Sequence, residues 1–166
     1  MPYVKPPEIA TTMLAAGAVK ANLPVKHLLI RGALSGAFLA VATSMAVTAA
    51  VQTGLPIVGA TIFPFGLFLI ILLGLELVTG SFALLPVATI EGKPGAEFSK
   101  VLVNWSWVFL GNLLGAMAYA GLLSISLTMM GDVEIEPVGA KIVKIAEDRK
   151  STRLNSSHQI ISYAVF

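Results

Sequence analysis

Residues 74–82, GLELVTGSF, place one carboxylate and two glycines inside the longest apolar part of the chain. A charged side chain at bilayer depth costs at least about 2.5 kcal/mol to insert, so it persists only where it faces water, protein or backbone donors. Gly74 and Gly80 permit backbone conformations that a regular helix excludes. The stretch therefore predicts a helix that is interrupted around Glu76 by a non-helical loop at 74–80.

The composition around this stretch is typical of a membrane protein. Of 166 residues, 56% are hydrophobic and 12% are charged, whereas a soluble domain is roughly 25% charged. Crossing the bilayer takes about 20 apolar residues in a helix. The chain is therefore predicted to be an all-α membrane protein with three transmembrane helices, the second one broken, at 27–52, 55–90 and 99–130.

The length of the second span supports the interruption. Residues 55–90 are too many for one crossing of about 30 Å and too few for two ordinary crossings with a loop. Irregular backbone at membrane depth is tolerated only where protein buries it or a cavity borders it, so a broken span indicates an ion path. We expect the carboxylate of Glu76 to accept hydrogen bonds from free loop amides. The alternative is a kinked but continuous helix in which Glu76 pairs with a base on a neighbouring helix.

The segment before the first span favours an amphipathic helix at 6–23 that lies in the membrane interface. A flexible arm is the alternative. Short loops rich in Lys and Arg mark the cytoplasmic side of a membrane. Bases are concentrated in residues 1–31 and occur in the loop at 91–100, whereas all charged residues in 132–136 are acidic. We therefore expect a multi-pass protein of the plasma (inner) membrane with a cytoplasmic N-terminus.

The same composition argues against other classes. The chain has no cysteine, and its formal net charge of +2 comes without a basic run. We therefore expect no thiol chemistry, no zinc site and no nucleic-acid partner. Asn104 and Asn112 of the third span are interpreted as hydrogen-bonding links between helices. The glycine pairs of the first and third spans predict close helix packing; they are Gly32/Gly36 and Gly111/Gly115.

Four stretches resemble the formate/nitrite transporter family. They are PPEI…GAVKA in the first helix, FPFGL before the break, GLELVTGS at the break and NW…VFLGNLLGA in the third span. The resemblance covers roughly residues 5–149. It implies six spans in two inverted three-span repeats, an aquaporin-like fold and a homo-pentamer with a path in each protomer. This chain matches the first repeat, and we expect residues 150–166 to be a tail foreign to the family.

The resemblance also implies roles for individual residues. Phe63 and Leu67 of the second span would form the hydrophobic constrictions of the path together with Leu77 and Val78 of the loop. The hydroxyl of Thr79 would face the centre of the path and hydrogen-bond the anion or the central histidine that the family carries in its second repeat. Three residues would stabilise the loop, namely Glu76, Gly74 and Gly80. Either of two neighbouring bases would draw anions into the outer vestibule, Arg149 or Lys150.

The function that the resemblance implies is a channel or secondary transporter in the lipid bilayer for a small monovalent anion, with no cofactor, no metal site and no enzymatic activity. The candidates are formate, nitrite, hydrosulfide and lactate, with proton linkage in the full-length protein through a central histidine of the second repeat. The alternatives are a pore for water or another neutral solute and a non-conducting structural membrane fragment. Because half of the path wall is expected in the second repeat, we expect this polypeptide alone to conduct poorly.

Overall fold

The computed structural model describes residues 4–128 and 137–151, except the side chains of residues 149–151. The described residues form six α-helices and no strand. In chain order the helices are α1 (Pro6–Ala21), α2 (Val25–Thr53), α3 (Pro56–Leu72), α4 (Val78–Ile90), α5 (Phe98–Thr128) and α6 (Pro137–Ser151). They divide between two compact units, and α2, α3 and α5 contribute residues to both.

Two of these helices, α2 and α5, are long and apolar enough to cross a membrane. Within their most apolar windows only 28% and 17% of residues are buried inside the protein, whereas a core helix of a soluble protein would be mostly buried. The exposed apolar faces fit a lipid environment. The two shorter apolar helices are α3 and α4, and their joint crossing as one broken span stays a prediction.

The apolar segment 55–90 is interrupted, as the glycines and the carboxylate predicted. Helix α3 ends in a Schellman motif, in which the amide of Leu75 donates to the carbonyl of Ile70 at 3.0 Å and the amide of Gly74 to that of Ile71 at 3.1 Å. Gly74 has a φ of +62°, which L-residues with a side chain rarely adopt. Residues 75–77 have no regular secondary structure; Leu77 is extended, with a φ of −112° and a ψ of 130°, and α4 begins at the next residue.

The interruption is shorter than the predicted loop at 74–80. Only residues 73–77 are non-helical, and the last three residues of the predicted loop form the first turn of α4. The physical reason is that only one of the two glycines is used as a helix breaker. Gly74 has a positive φ, whereas Gly80 does not and lies within the helix.

Unit 1, Met1–Ala37 and Ile70–Met117, contains the interruption. Its α1 packs against α4 through a small residue, since a Cβ at Gly17 would lie 2.9 Å from the Cβ of Ala88. Its parts of α2 and α5 approach so closely that a Cβ at Gly36 would meet the carbonyl of Asn112, and one at Gly115 the carbonyl of Ala33. The predicted close packing at the two glycine pairs is therefore present.

The first helix packs into unit 1 through small residues, and its large apolar side chains are not the ones that it buries. The apolar stripe of α1 is exposed, with Ile9, Met13 and Val19 at 48%, 50% and 65%. Its buried residues are Gly17 and Ala21, because the contact with α4 requires small side chains. The helix ends two residues before the predicted bound at 23, and its position in a membrane interface stays a prediction.

Unit 2, Phe38–Leu69 and Ala118–Phe166, is also held by close contacts at small residues. A Cβ at Gly59 would lie 2.5 Å from the carbonyl of Ala46, and one at Gly66 would meet the Cβ of Ala42. The hydroxyls of Tyr119 and Ser44 are 2.6 Å apart. Because the Ser44 hydroxyl donates to the carbonyl of Val41, it accepts from Tyr119.

Candidate functional site

The carboxylate of Glu76 lies at the centre of the interruption and is 2% exposed. Both of its oxygens accept from the ammonium of Lys20, each at 2.8 Å. Lys20 is in the last turn of α1, and its side chain is 23% exposed. A carboxylate buried this deeply would be strongly destabilising without a partner, and this ion pair satisfies it.

The donor at Glu76 differs from the one predicted. We expected loop amides to hold the carboxylate, and the bonds come instead from a lysine side chain of another helix. Pairing of Glu76 with a base on a neighbouring helix is part of the alternative prediction, in which the helix is kinked but continuous. The structure combines that pairing with an interrupted apolar segment, because the positive φ at Gly74 turns the chain and Lys20 reaches the carboxylate.

Asn112 of α5 makes the second set of contacts at the interruption. Its side-chain amide donates to the carbonyls of Gly32 and Glu76, both at 2.9 Å. Its side-chain oxygen accepts from the amide of Val78 at 3.0 Å. Leu77, the residue before α4, supplies no side-chain cap, so the first amide of this helix is capped from α5. The interpretation of Asn112 as a link between helices is confirmed.

Asn104, about two turns before Asn112 on α5, holds the end of α1. Its side-chain amide donates to the carbonyl of Lys20 at 2.9 Å, and the residue is fully buried. The interpretation of Asn104 as a link between helices is likewise confirmed. Since α5 fixes the backbone of Lys20 while the ammonium of Lys20 fixes Glu76, α1 and α5 together determine the position of the interruption.

The first turn of α4 leaves hydrogen-bond donors free. The amides of Thr79 and Gly80 have no hydrogen-bond partner among the described residues, and the side chain of Thr79 is exposed. Free amides at a helix N-terminus carry a partial positive charge that favours anions. Among the residues that the structure describes, the formal charges seen in contact at the interruption are those of Glu76 and Lys20, which balance each other. The site therefore presents donors and a hydroxyl without a net charge.

For the remaining predicted site residues, the structure gives position and exposure, and their roles stay predictions. Phe63 is half-buried and Leu67 is 42% exposed, and both lie on α3 in unit 2. Leu77 and Val78 are half-buried in unit 1, so the constrictions stay a prediction. Arg149 and Lys150 lie in α6, but their side chains are outside the described residues. Within the described part of the chain, no group of acids and histidines could hold a metal ion.

The sequence did not predict the contacts of two residues that hold the interruption in place. Lys20 was counted only among the cytoplasmic bases, although it is the partner of Glu76. Asn112 was assigned to helix packing without its capping role. The two ends of the ion pair are 56 residues apart in the chain, so no local spacing could connect them. The one available signal was that a buried acid requires a base or donors.

Comparison with known proteins gives the family. The family model described as formate/nitrite transporter matches residues 7–166. This match includes residues 150–166, so the expectation that they are foreign to the family is not retained. No solved structure matches the chain significantly.

Three curated relatives are similar to the chain. The uncharacterized transporter YrhG of Bacillus subtilis is 32% identical over 157 residues, which are 90% of this chain and 56% of the relative. The formate channel BtFdhC of Bacillus thuringiensis is 33% identical over 72% of this chain and 48% of its own length. A probable formate transporter of Methanothermobacter thermautotrophicus is 27% identical over 89% and 55%.

The chain spans about half the length of the curated relatives that it matches. The family match, in contrast, covers nearly all of the chain, from residue 7 to residue 166. Because this family model matches far more than half of the chain, the chain belongs to the formate/nitrite transporter family.

Proposed function

We propose that the chain forms the wall of a membrane path for a small monovalent anion, with formate as the first candidate. The observation that carries this proposal is the interrupted helix, whose second half begins with free amides and an exposed Thr79. Two relatives are named as a formate channel and a probable formate transporter. An interrupted apolar helix is the usual way in which transporters bring backbone donors to an ion inside the membrane.

The contacts around the interruption support a rigid site. The ion pair of Lys20 with Glu76 and the capping by Asn112 fix the second end of the five-residue break. The hydrogen bonds from Gly74 and Leu75 to the last turn of α3 close its first end. A site that is held in place before the anion arrives avoids the entropic cost of ordering a loop at each passage. Because the ion pair has no net charge, the site can donate hydrogen bonds to an anion without trapping it by a full positive charge.

Two apolar constrictions flank the site in this proposal. Phe63, Leu67, Leu77 and Val78 supply them, and Thr79 hydrogen-bonds the anion between them. Passing a bare anion through apolar slits is costly. A proton supplied to formate or nitrite on the way would lower that cost, so the complete protein would be proton-linked. The ability of formate or nitrite to take up this proton then distinguishes these ions from water.

The proposed setting follows from the family and from the charge pattern. The complete protein assembles as a homo-pentamer in the inner membrane, with the N-terminus in the cytoplasm and Arg149 or Lys150 at the outer vestibule. The bases that precede α2 and those in the loop after α4 support this orientation.

The test is formate flux into liposomes that contain the complete gene product. Thr79→Val keeps the size of the side chain and removes its hydroxyl, so we expect lower formate flux at unchanged protein yield. The matched control is Thr89→Val on the same helix, whose hydroxyl donates to the carbonyl of Leu85 at 3.0 Å. Equal flux for Thr79→Val and the unmodified protein would remove the assigned role.

The same liposomes distinguish an anion path from a neutral pore. Proton-linked anion passage predicts formate flux that rises as the external pH falls. Water permeability without formate flux would identify a water pore, and the absence of both would identify a structural membrane protein. Either of these two results would overturn the proposed function.

A further inference from the structure

The residue that follows α1 makes a set of contacts apart from those at the interruption. Asn22 is the C-cap of α1, and its side chain bonds to three parts of unit 1. Its amide nitrogen donates to the carbonyl of Ala18 at 2.8 Å and to the carbonyl of Gly95 at 3.1 Å. Its oxygen accepts from the ammonium of Lys100 at 2.7 Å. One side chain therefore joins α1, the segment 91–97 that connects α4 to α5, and the first turn of α5.

The backbone of the segment 91–97 is shaped for this contact. Gly95 has a φ of +80°, and a Cβ there would lie 2.5 Å from the side-chain nitrogen of Asn22. Gly92 has a similar φ of +64°, but a Cβ there would meet no heavy atom within 4 Å. Both positions favour glycine because of their left-handed backbone. Gly95 alone of the two also needs the absence of a side chain to admit Asn22.

The same end of α1 carries the base of the ion pair. Lys20 lies two residues before Asn22, and its ammonium is 2.8 Å from both oxygens of Glu76. No other described residue donates to this carboxylate. Between the two, Ala21 is buried in one apolar cluster with Ala96 of the connecting segment. Because hydrogen bonds of this kind weaken beyond about 3.2 Å, the pair depends on where this turn of α1 is held.

We propose that Asn22 is a latch, formed by the three hydrogen bonds of its side chain, that transmits the position of the segment 91–97 to the ion pair. Asn104 holds the carbonyl of Lys20 from α5, and Asn22 holds the same turn from the connecting segment. Asn22 is exposed whereas Glu76 is buried, so a contact at the surface controls one in the interior. Without the latch, the last turn of α1 frays and the interruption opens more often. This coupling holds whether or not the interruption conducts an anion.

The test is hydrogen–deuterium exchange of the complete gene product in lipid, read in peptides that cover residues 73–78. The amides of Leu75 and Val78 are hydrogen-bonded at the two ends of the interruption. Asn22→Ala removes the latch, so we expect these peptides to exchange about two- to tenfold faster, as for the loss of one ordinary hydrogen bond. Lys20→Met should speed exchange in the same peptides. The double variant should be no faster than the faster single variant, because both act through one ion pair. Faster exchange that stays confined to α1 would overturn the proposal.

A pair of glycine variants tests the latch without changing Asn22. Gly95→Ala and Gly92→Ala both strain a left-handed residue of the same segment, but only Gly95→Ala displaces the side chain of Asn22. We therefore expect faster exchange of residues 73–78 in Gly95→Ala and nearly unchanged exchange there in Gly92→Ala. Residues 38–69 of unit 2 are the internal reference and should be unchanged in every variant. Equal exchange at 73–78 in the two glycine variants, or a matching increase in the reference, would contradict the latch.

Discussion

Glu76 shows how one buried charge organises its surroundings. The carboxylate is almost completely buried, and a lysine from α1 is bonded to both of its oxygens. Burying such a pair contributes little net stability by itself, but removing one partner leaves an uncompensated charge. The pair therefore specifies where the interruption lies more than it stabilises the fold.

This asymmetry predicts the effect of removing the base. Lys20→Met leaves Glu76 unpaired and should destabilise the protein by up to about 3 kcal/mol, a value reduced by the partial exposure of Lys20. The measurement is the thermal unfolding midpoint in detergent. Adding Glu76→Gln to Lys20→Met should restore most of the loss, because no charge is then buried.

The control for this prediction is Lys26→Met, at an exposed lysine near the start of α2. It removes the same charge without touching Glu76 and should leave the midpoint nearly unchanged. Equal losses at Lys20 and Lys26, or no rescue by Glu76→Gln, would contradict the assigned pairing.

At the level of the helices, the interruption depends on one glycine. Gly74 adopts a positive φ at the end of α3, whereas Gly80 lies inside α4. The sequence pattern treated the two glycines alike and therefore predicted a loop at 74–80. Backbone conformation distinguishes them, and it depends on the hydrogen bonds that end α3 and on the cap that Asn112 supplies to α4.

Alanine substitutions at these two positions test the bounds of the interruption. A Cβ at either position would meet no heavy atom within 4 Å, so the comparison reports on the backbone alone. Gly74→Ala should cost about 1–2 kcal/mol because of its left-handed conformation. Gly80→Ala should be neutral or stabilising by about 0.5–1 kcal/mol because alanine favours a helix.

The measurement for both is again the unfolding midpoint in detergent. A loss at Gly80→Ala similar to that at Gly74→Ala would mean that the interruption extends to residue 80, as the sequence pattern indicated.

Close packing of α2 against α5 gives a second prediction at this level. A Cβ at Gly115 would meet the backbone of Ala33, whereas one at Gly121 on the same helix would meet nothing within 4 Å. Gly115→Ala should therefore destabilise by about 1–3 kcal/mol or prevent folding. Gly121→Ala should not lower the unfolding midpoint. Similar midpoints for the two variants would contradict the close approach of the helices.

For the molecule as a whole, the length of the relatives bears on conduction. The chain spans about half of each curated relative that it matches, and the proposed path requires a wall on both sides. We therefore expect vesicles that contain only these 166 residues to take up formate poorly, and vesicles with the complete gene product to take it up. Robust uptake by the 166-residue polypeptide alone would contradict this division of the path.

The helical class, the long apolar helices and the interruption near Glu76 follow from local properties of the chain. Hydropathy, glycine positions and the cost of a buried charge act within a few residues, and a sequence displays them directly. The family followed from four stretches and was confirmed by the family match.

The partner of Glu76, the cap on α4 and the true bounds of the interruption depend on contacts between distant residues. Lys20 and Glu76 are 56 positions apart, and Asn112 and Val78 are 34 apart. The direction of a side chain in such a contact is set by how whole helices pack, here through Gly17, Gly36 and Gly115. Packing of this kind involves several helices at once, and no local spacing in the chain encodes it.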